Sequence, residues 1–388
     1  MSFYFTLNTG SSSVKFSLYK AHDKPEFYIS GSIECLGPSA KLKMQTPIEQ
    51  VRRELGPIDH ASAVPAIFSA LEPFLKGSSV VGIGHRIVHG GRSFFEPTEL
   101  TPKVMDELEQ LIPLAPLHQP YSLATIQAAK QVFPDALQIG CFDTAFHAGH
   151  SFPNDAFAIP RHFYEEGVRR YGFHGLSFDA ICNEMRDRYS QVANERLVIA
   201  HLGNGASMCA VNNGHSISAS TGFSAVDGLP MGTRCGRLDP GVMLYLMQEK
   251  KLSPEEIETI IYRRSGLLGL SGISSDMRDL EESNDPFAIE AIDYYCYQAR
   301  REVATMAASL EGIDALIFSA GVGENSALVR SKICQPLAFL GITIDQKKNT
   351  VNAPEIGTGP VRVFIVATDE EQVIVRAVAQ AHSKSQVS

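Results

Sequence analysis

Twice the chain runs from a short apolar segment through a polar, glycine-bearing turn into a second apolar segment, and this recurrence constrains its architecture more than any other feature. Near the N-terminus residues 3–7 and 14–19 flank Asn8-Thr9-Gly10-Ser11-Ser12-Ser13. Further on, residues 196–202 and 207–211 flank Gly203-Asn204-Gly205, and Asn212-Asn213-Gly214 closes the second pair as a hairpin turn. Two related α/β halves follow, each offering a turn to a shared cleft. A length of 388 residues exceeds the usual size of one domain, and an apolar content of 44% can fill two cores. The first half is drawn over 1–145 with 372–388 returning to it. The second covers 146–371, the texture changing after Gly149, where Pro153, Asn154 and Pro160 follow.

A net charge of −9 argues against a surface devoted to nucleic acid or anionic membrane, while leaving room for a small basic pocket. The 7 cysteines are scattered, odd in number and never spaced as Cys-x-x-Cys, so neither a disulfide framework nor a zinc knuckle is expected. No basic leader with an apolar core and no apolar run of bilayer length is present, which predicts a cytoplasmic protein without a membrane partner.

Periodicity predicts helices over 47–57, 63–75, 103–111, 122–133, 254–262, 286–309 and 372–381. Strands are predicted over 80–83, 138–142, 315–319 and 360–367. The 315–319 strand delivers Ala320-Gly321-Val322-Gly323-Glu324-Asn325 at its carboxyl end, where open α/β sheets bind ligands. Its glycines permit close approach, and Asn325 can bond a sugar or phosphate. No dinucleotide fingerprint and no Gly-Lys-Ser/Thr phosphate loop occurs.

The first turn, with Lys15 beyond it, can grip phosphate through amide, hydroxyl and ammonium donors, or it is an ordinary polar hairpin. Glu370, after the last strand, suits a magnesium ion. Asp369 and Glu371 are explained equally well as a helix N-cap and a first-turn acid. Arg86, in a strand near glycines, and Arg234, in a glycine-flanked turn, suit bidentate recognition of carboxylate or phosphate. Arg92 and Arg237 read as surface charges. His174 and His118, both in turns, can donate to a phosphoryl oxygen or be structural. The pairs His85/His89 and His147/His150 lack a His-Glu-x-x-His arrangement, and four extended residues span about 13 Å, so zinc hydrolysis is disfavoured. Asp143, after the 138–142 strand, has no proton to take from a carboxylate acceptor, which is already ionised with a pKa of about 4. Its expected task is to orient Arg86 or the acceptor.

Taken together, Asn8 to Lys15, Gly84 to Gly91, Ala115 to Pro120, Cys141 to His147, Arg170 to Gly175, His201 to Gly205, Met231 to Gly236, Gly321 to Asn325 and Thr368 to Glu371 closely resemble the acetate kinase family, which includes propionate kinases. That family lies within the sugar kinase, actin and Hsp70 ATPase superfamily. The resemblance implies two actin-like (ribonuclease H-like) ATPase domains with an active-site cleft between them, usually in a homodimer. It implies reversible, magnesium-dependent, in-line transfer of the ATP γ-phosphoryl group to acetate, giving acetyl phosphate and ADP, with manganese as a substitute metal. By the same resemblance Asn8 and Glu370 organise the metal, Ser11, Ser13 and Lys15 lie near the phosphates, and Arg86 and Arg234 hold the reacting oxygens. His174 stabilises the phosphoryl group in flight with support from His118, and Asp143 orients Arg86. Nucleotide contacts are carried over to His201, Leu202, Gly203, Asn204, Gly205, Asp276, Met277, Arg278, Gly321, Val322, Gly323, Glu324 and Asn325. Val88, Leu117 and Phe173 form an acid pocket, and Ala225 borders it.

Gln119 and Asp369 each replace an asparagine common in the family, and Ala225 replaces a frequent proline, which could leave room for another methylene. Acetate is the preferred acceptor and propionate the alternative. A sugar or glycerol kinase would need a hydroxyl acceptor and a carboxylate base, and a catalytically silent nucleotide-binding partner would lack magnesium-dependent turnover.

Overall fold

The computed structural model describes every residue except Ser11, Lys76, Val387 and Ser388. It divides into two compact units, Met1–Phe146 with Asp369–Ser388, and His147–Thr368. The boundaries drawn from sequence, after 145 and after 371, shift accordingly. Asp369, Glu370 and Glu371 group with the first unit because the C-terminal helix begins at Glu370 and runs to Ser385.

The first unit contains β1 (Ser2–Thr9), β2 (Ser13–Lys20), β3 (Glu26–Glu34), β4 (Gly37–Gln45), β5 (Gln50–Ile58), α1 (His60–Leu75), β6 (Ser79–Ile87), β7 (Thr98–Glu99), α2 (Pro102–Glu109), α3 (Gln119–Val132) and β8 (Leu137–Phe142). Its sheet has the order β5-β4-β3-β2-β1-β6-β8-β7. Strands β1, β2 and β3 are antiparallel neighbours, while β1, β6 and β8 are parallel. Phe3, Phe5 and Leu7 alternate along β1 and share a core with Val64, Ile67 and Leu71 of α1. Tyr4 points to the opposite face, where its hydroxyl meets His382 Nδ1 at 3.0 Å on the C-terminal helix.

Two glycines let that helix lie flat on the sheet. A Cβ at Gly82 would stand 2.6 Å from Val378 Cγ1, and one at Gly84 would stand 2.8 Å from Val378 Cγ2 and closer still to Ile374. The helix start thereby comes to the carboxyl end of β1.

The helix expected over 47–57 is instead strand β5. Val51 and Leu55 are four apart and satisfy a helical as well as an extended pattern. The hairpin turn decides the matter, since Thr46 Oγ1 accepts from Glu49 N at 3.0 Å and Val51 pairs with Met44.

The second unit contains α4 (Gly175–Arg188), β9 (Arg196–Leu202), β10 (Ala206–Asn212), β11 (His215–Ala219), α5 (Pro286–Ser309), β12 (Ala315–Ser319), α6 (Ala320–Asn325) and β13 (Arg362–Ile365). Its sheet order is β11-β10-β9-β12-β13, with β11, β10 and β9 antiparallel and β9, β12 and β13 parallel. This repeats the order and sense of β3-β2-β1-β6-β8. Ala299, Val303 and Met306 of α5 pack into a core with Val198, Met208 and Leu316.

The last strand is shorter than the expected 360–367, and the final helix starts earlier than 372 because Asp369 caps it, accepting from Gln372 N at 3.1 Å. No helix among the described residues is long and apolar enough to cross a membrane.

Candidate active site

In the first unit, the ends of β1, β6 and β8 and the start of the C-terminal helix bring four predicted residues into one hydrogen-bonded chain. Arg86 donates through Nη2 to Asp143 Oδ2 at 2.6 Å and through Nε to both carboxylate oxygens at 3.1 and 3.0 Å. Its Nη1 donates to Asn8 Oδ1 at 3.1 Å, and Asn8 Nδ2 donates to Glu370 Oε2 at 2.8 Å. Burial disfavours the charge on Arg86, but Asp143 and Glu370 more than offset this and raise its pKa. Burial pushes the Asp143 carboxyl upward, against the pull of Arg86. The result is a fixed cation whose fork is oriented by a carboxylate behind it.

The supporting contacts lie one residue further along. Ser17 donates a hydrogen bond to Glu371, which ties the helix start to β2. Burial and the neighbouring Asp369 push the Glu371 carboxyl up to about 7.

The other predicted residues of this unit divide. Val88 is buried just beyond β6, and His118 and Leu117 are half-buried at the start of α3. Ser13 closes the β1–β2 turn, its carbonyl accepting from Gly10 N at 2.8 Å. Lys15 lines a cavity of about 520 Å³ on the sheet face with Ser17, Tyr19, Asp369 and Glu371. Ser11 lies outside the described residues.

Neither the His85/His89 pair nor the buried Gln119 needs a metal to account for it. His85 meets Gln138 Oε1 at 2.7 Å, His89 Nδ1 accepts from Gly91 N at 2.9 Å, and Gln119 Nε2 donates to the His89 carbonyl at 3.2 Å. Among the described residues no group of three or more His, Cys, Asp or Glu side chains could hold a metal ion.

In the second unit, His174 occupies the left-handed region, with φ 58°, immediately before α4. Its Nδ1 meets Ser207 Oγ at 2.8 Å, and its ring stacks on His201 at 4.4 Å. His201 in turn bonds Ser177 Oγ at 2.7 Å. Arg234 Nη1 donates to the Ala225 carbonyl at 3.0 Å. Gly205 explains how these meet the glycine turn, since a Cβ there would lie 3.2 Å from His174 Nε2 and 3.9 Å from Arg234 Nη1.

The turn before His174 is held by residues that the sequence did not reveal. His147 Nε2 bonds the Phe173 carbonyl at 3.0 Å, and Phe173 N donates to Thr221 Oγ1 at 3.0 Å. Burial, reinforced by His150, pushes His147 down to about 3, so its ring is neutral. With Nε2 donating to a carbonyl, Nδ1 accepts from Ser216 Oγ at 2.8 Å, and His150 Nε2 reaches the same hydroxyl at 2.7 Å. The His147/His150 pair is therefore spent on supporting the Phe173–His174 turn.

A cavity of about 740 Å³ opens in the second unit, bordered by Gly203, Asn204, Asp276, Met277, Arg278, Gly321, Val322 and Asn325, all named from sequence. Leu267, Ser275, Glu281, Tyr295 and Ser326, which sequence reasoning missed, complete its wall. Its volume falls in the range of small-molecule sites. Other residues proposed as nucleotide contacts do not border this cavity. Leu202 is fully buried, the Gly323 carbonyl accepts from buried Arg330 at 2.8 Å, and Glu324 Oε1 accepts from Ala320 N at 2.8 Å.

An ionic cluster in one unit and a cavity of nucleotide size in the other are the parts a phosphoryl-transfer enzyme requires. The acetokinase family profile matches residues 3–376. Acetate kinase from Methylocella silvestris is 46% identical over 387 residues, covering 96% of each chain. Among solved structures, a propionate kinase from Francisella tularensis superposes with a TM-score of 0.92 at 32% identity, covering 98% of this chain and 100% of that one. Acetate kinase from Porphyromonas gingivalis gives 0.87 at 37% identity, covering 98% and 99%. The chain belongs to the acetokinase family.

Proposed function

We propose that this chain transfers the γ-phosphoryl group of ATP to acetate, reversibly, giving acetyl phosphate and ADP. The observation that carries the reading is the chain Asp143–Arg86–Asn8–Glu370, which fixes a guanidinium against a carboxylate and leaves an amide and a second carboxylate beside it. Arg86 holds the acid. An acetate oxygen, already ionised at neutral pH, forms the new bond to phosphorus as the bond to the ADP oxygen breaks, so no base is needed. Asp143 orients Arg86. His174 and Arg234 offset the charge that spreads over the phosphoryl oxygens.

Asn8 and Glu370 would hold magnesium. Their donors are hard oxygens, and one carboxylate with an amide suits an ion that keeps several waters and takes the rest of its ligands from phosphate. Bound there, the ion would neutralise phosphate charge. The nucleoside occupies the cavity between Asn204, Asp276–Arg278 and Gly321–Asn325.

Propionate is the second reading, supported by Ala225 and by the similar propionate kinase fold. A homodimer is supported by the exposed apolar side chains Val242, Leu244, Tyr245 and Met247 and by Phe287, Ile289, Tyr294 and Tyr297 on α5.

Acyl hydroxamate formation tests this reading, with ATP, magnesium, hydroxylamine and acetate, propionate or butyrate. Turnover greatest with acetate, lost on chelating the metal and in Arg86→Ala and Arg234→Ala, is the expected result. Folded protein that binds ADP but turns over no acid would overturn it in favour of a silent nucleotide-binding protein.

A further inference from the structure

Tyr295, on α5, borders the 740 Å³ cavity and is 1% exposed. Its hydroxyl is closed off from water and has no hydrogen-bond partner among the described residues. Several neighbouring polar groups are engaged. Asp276 accepts from Arg278 Nε at 3.0 Å and Nη2 at 2.6 Å, Ser326 donates to Glu281, and Asn325 Nδ2 donates to the Gly321 carbonyl at 2.9 Å. The apolar part of the wall is Leu267, Met277 and Val322.

A buried hydroxyl without a partner is costly to fold around, and a native protein keeps such a group for a reason. Burial pushes the Tyr295 phenol upward, so it is a neutral group that can give one hydrogen bond and accept another. Phosphate oxygens call for cations or backbone amides, whereas Leu267, Met277 and Val322 bring apolar side chains to this part of the wall. A flat apolar ring with ring nitrogens and an exocyclic group on its edge matches the side of the cavity where Leu267, Met277 and Val322 lie and Tyr295 borders the same space.

We propose that the Tyr295 hydroxyl hydrogen-bonds the edge of the purine base of the bound nucleotide, and so helps this pocket choose its nucleobase. The proposal rests on reading the cavity as the nucleoside site.

The test is Tyr295→Phe in the full chain, which keeps the ring and removes only the oxygen. Calorimetry with ADP should show affinity weakened about five- to tenfold, with the ratio of ADP to GDP affinity altered. The melting temperature of the nucleotide-free protein should hold or rise, because an unsatisfied group has gone. In turnover the loss should appear in KM for ATP rather than in kcat or in KM for acetate.

ADP affinity within about twofold of the parent would overturn the proposal, the hydroxyl then being served by an ordered water or by nothing. A lower melting temperature with ADP and GDP weakened equally would also overturn it, since the hydroxyl would then support the fold. Parent protein that binds ADP but does not phosphorylate acetate removes the acid-kinase reading and leaves this one standing. Parent protein that binds neither nucleotide removes this one.

Discussion

In the first unit the parallel strand β6 carries Arg86 as its last residue but one and β8 is followed at once by Asp143, whereas their counterparts β12 and β13 in the second unit run out into Ala320-Gly321 and Val366-Ala367-Thr368, which carry no charge. The strand order and sense are the same. The turns differ in the same way. The β1–β2 turn follows an asparagine bonded to both Arg86 and Glu370, while Gly203-Asn204 borders a cavity whose deep wall is Leu267, Met277 and Val322. Topology thus sets where groups can converge, at the carboxyl ends of parallel strands. The side chains placed there decide whether a charged cluster or an open cavity results.

If that division of labour holds, damage to the ionic cluster should spare nucleotide binding. Arg86→Ala removes the fork and leaves Asp143 buried without its cation. We expect kcat to fall about 10²–10³-fold and stability to drop by about 3–5 kcal/mol, with the ADP dissociation constant unmoved by calorimetry. Loss of ADP affinity equal to the loss of kcat would break the comparison. Gly84→Ala reaches the same cluster from behind. Its new Cβ meets Ile374 and Val378, so the C-terminal helix must shift and take Glu370 with it. The expected cost is about 1–3 kcal/mol in chemical denaturation, with a higher magnesium concentration needed for half-maximal rate.

The corresponding lever in the second unit is Gly172, with φ +76°, whose Cβ would fall 2.5 Å from His147 Cγ. Gly172→Ala should strain the turn that presents His174 and lower kcat about tenfold. ADP affinity should stay within about twofold, because the cavity wall is built from other segments. An equal fall in ADP affinity would show that turn and cavity are one unit mechanically.

Much of this was legible from residues. The two hairpins, the long helix 286–309 and the buried strand 315–319 follow from apolar runs with strong punctuation, and the structure has them as Pro286–Ser309 and Ala315–Ser319. A guanidinium in one strand and a carboxylate just past another suggested the Arg86–Asp143 pair before any geometry. What escaped depends on partners distant in sequence. Residues 47–57 carry a pattern that suits helix or strand, and only pairing with β4 decides. Tyr295 follows the same helical period as core residues Ile292 and Ala299, so nothing local marks it as bordering a cavity. His147 sits in a segment whose motif pointed at Asp143, and its bond to the Phe173 carbonyl joins residues that no spacing rule connects.

The smallest expected effect concerns which acid is accepted. Ala225 offers its carbonyl to Arg234 Nη1 at 3.0 Å, so the backbone here holds a residue of the proposed transfer machinery. The salt bridge between Arg170 and Asp227, at 3.0 Å, steadies the same loop two residues on. Ala225→Pro keeps the carbonyl and adds a ring, and on the proposed reading, with Ala225 bordering the acid, the space it fills is lost to the acid and not to Arg234. One methylene in an apolar pocket discriminates by about 1–3 kcal/mol. We expect kcat/KM for propionate to fall by up to about tenfold relative to acetate, with the acetate value little changed in the hydroxamate assay. An equal fall for both acids would mean that the ring disturbs Arg234 through the carbonyl.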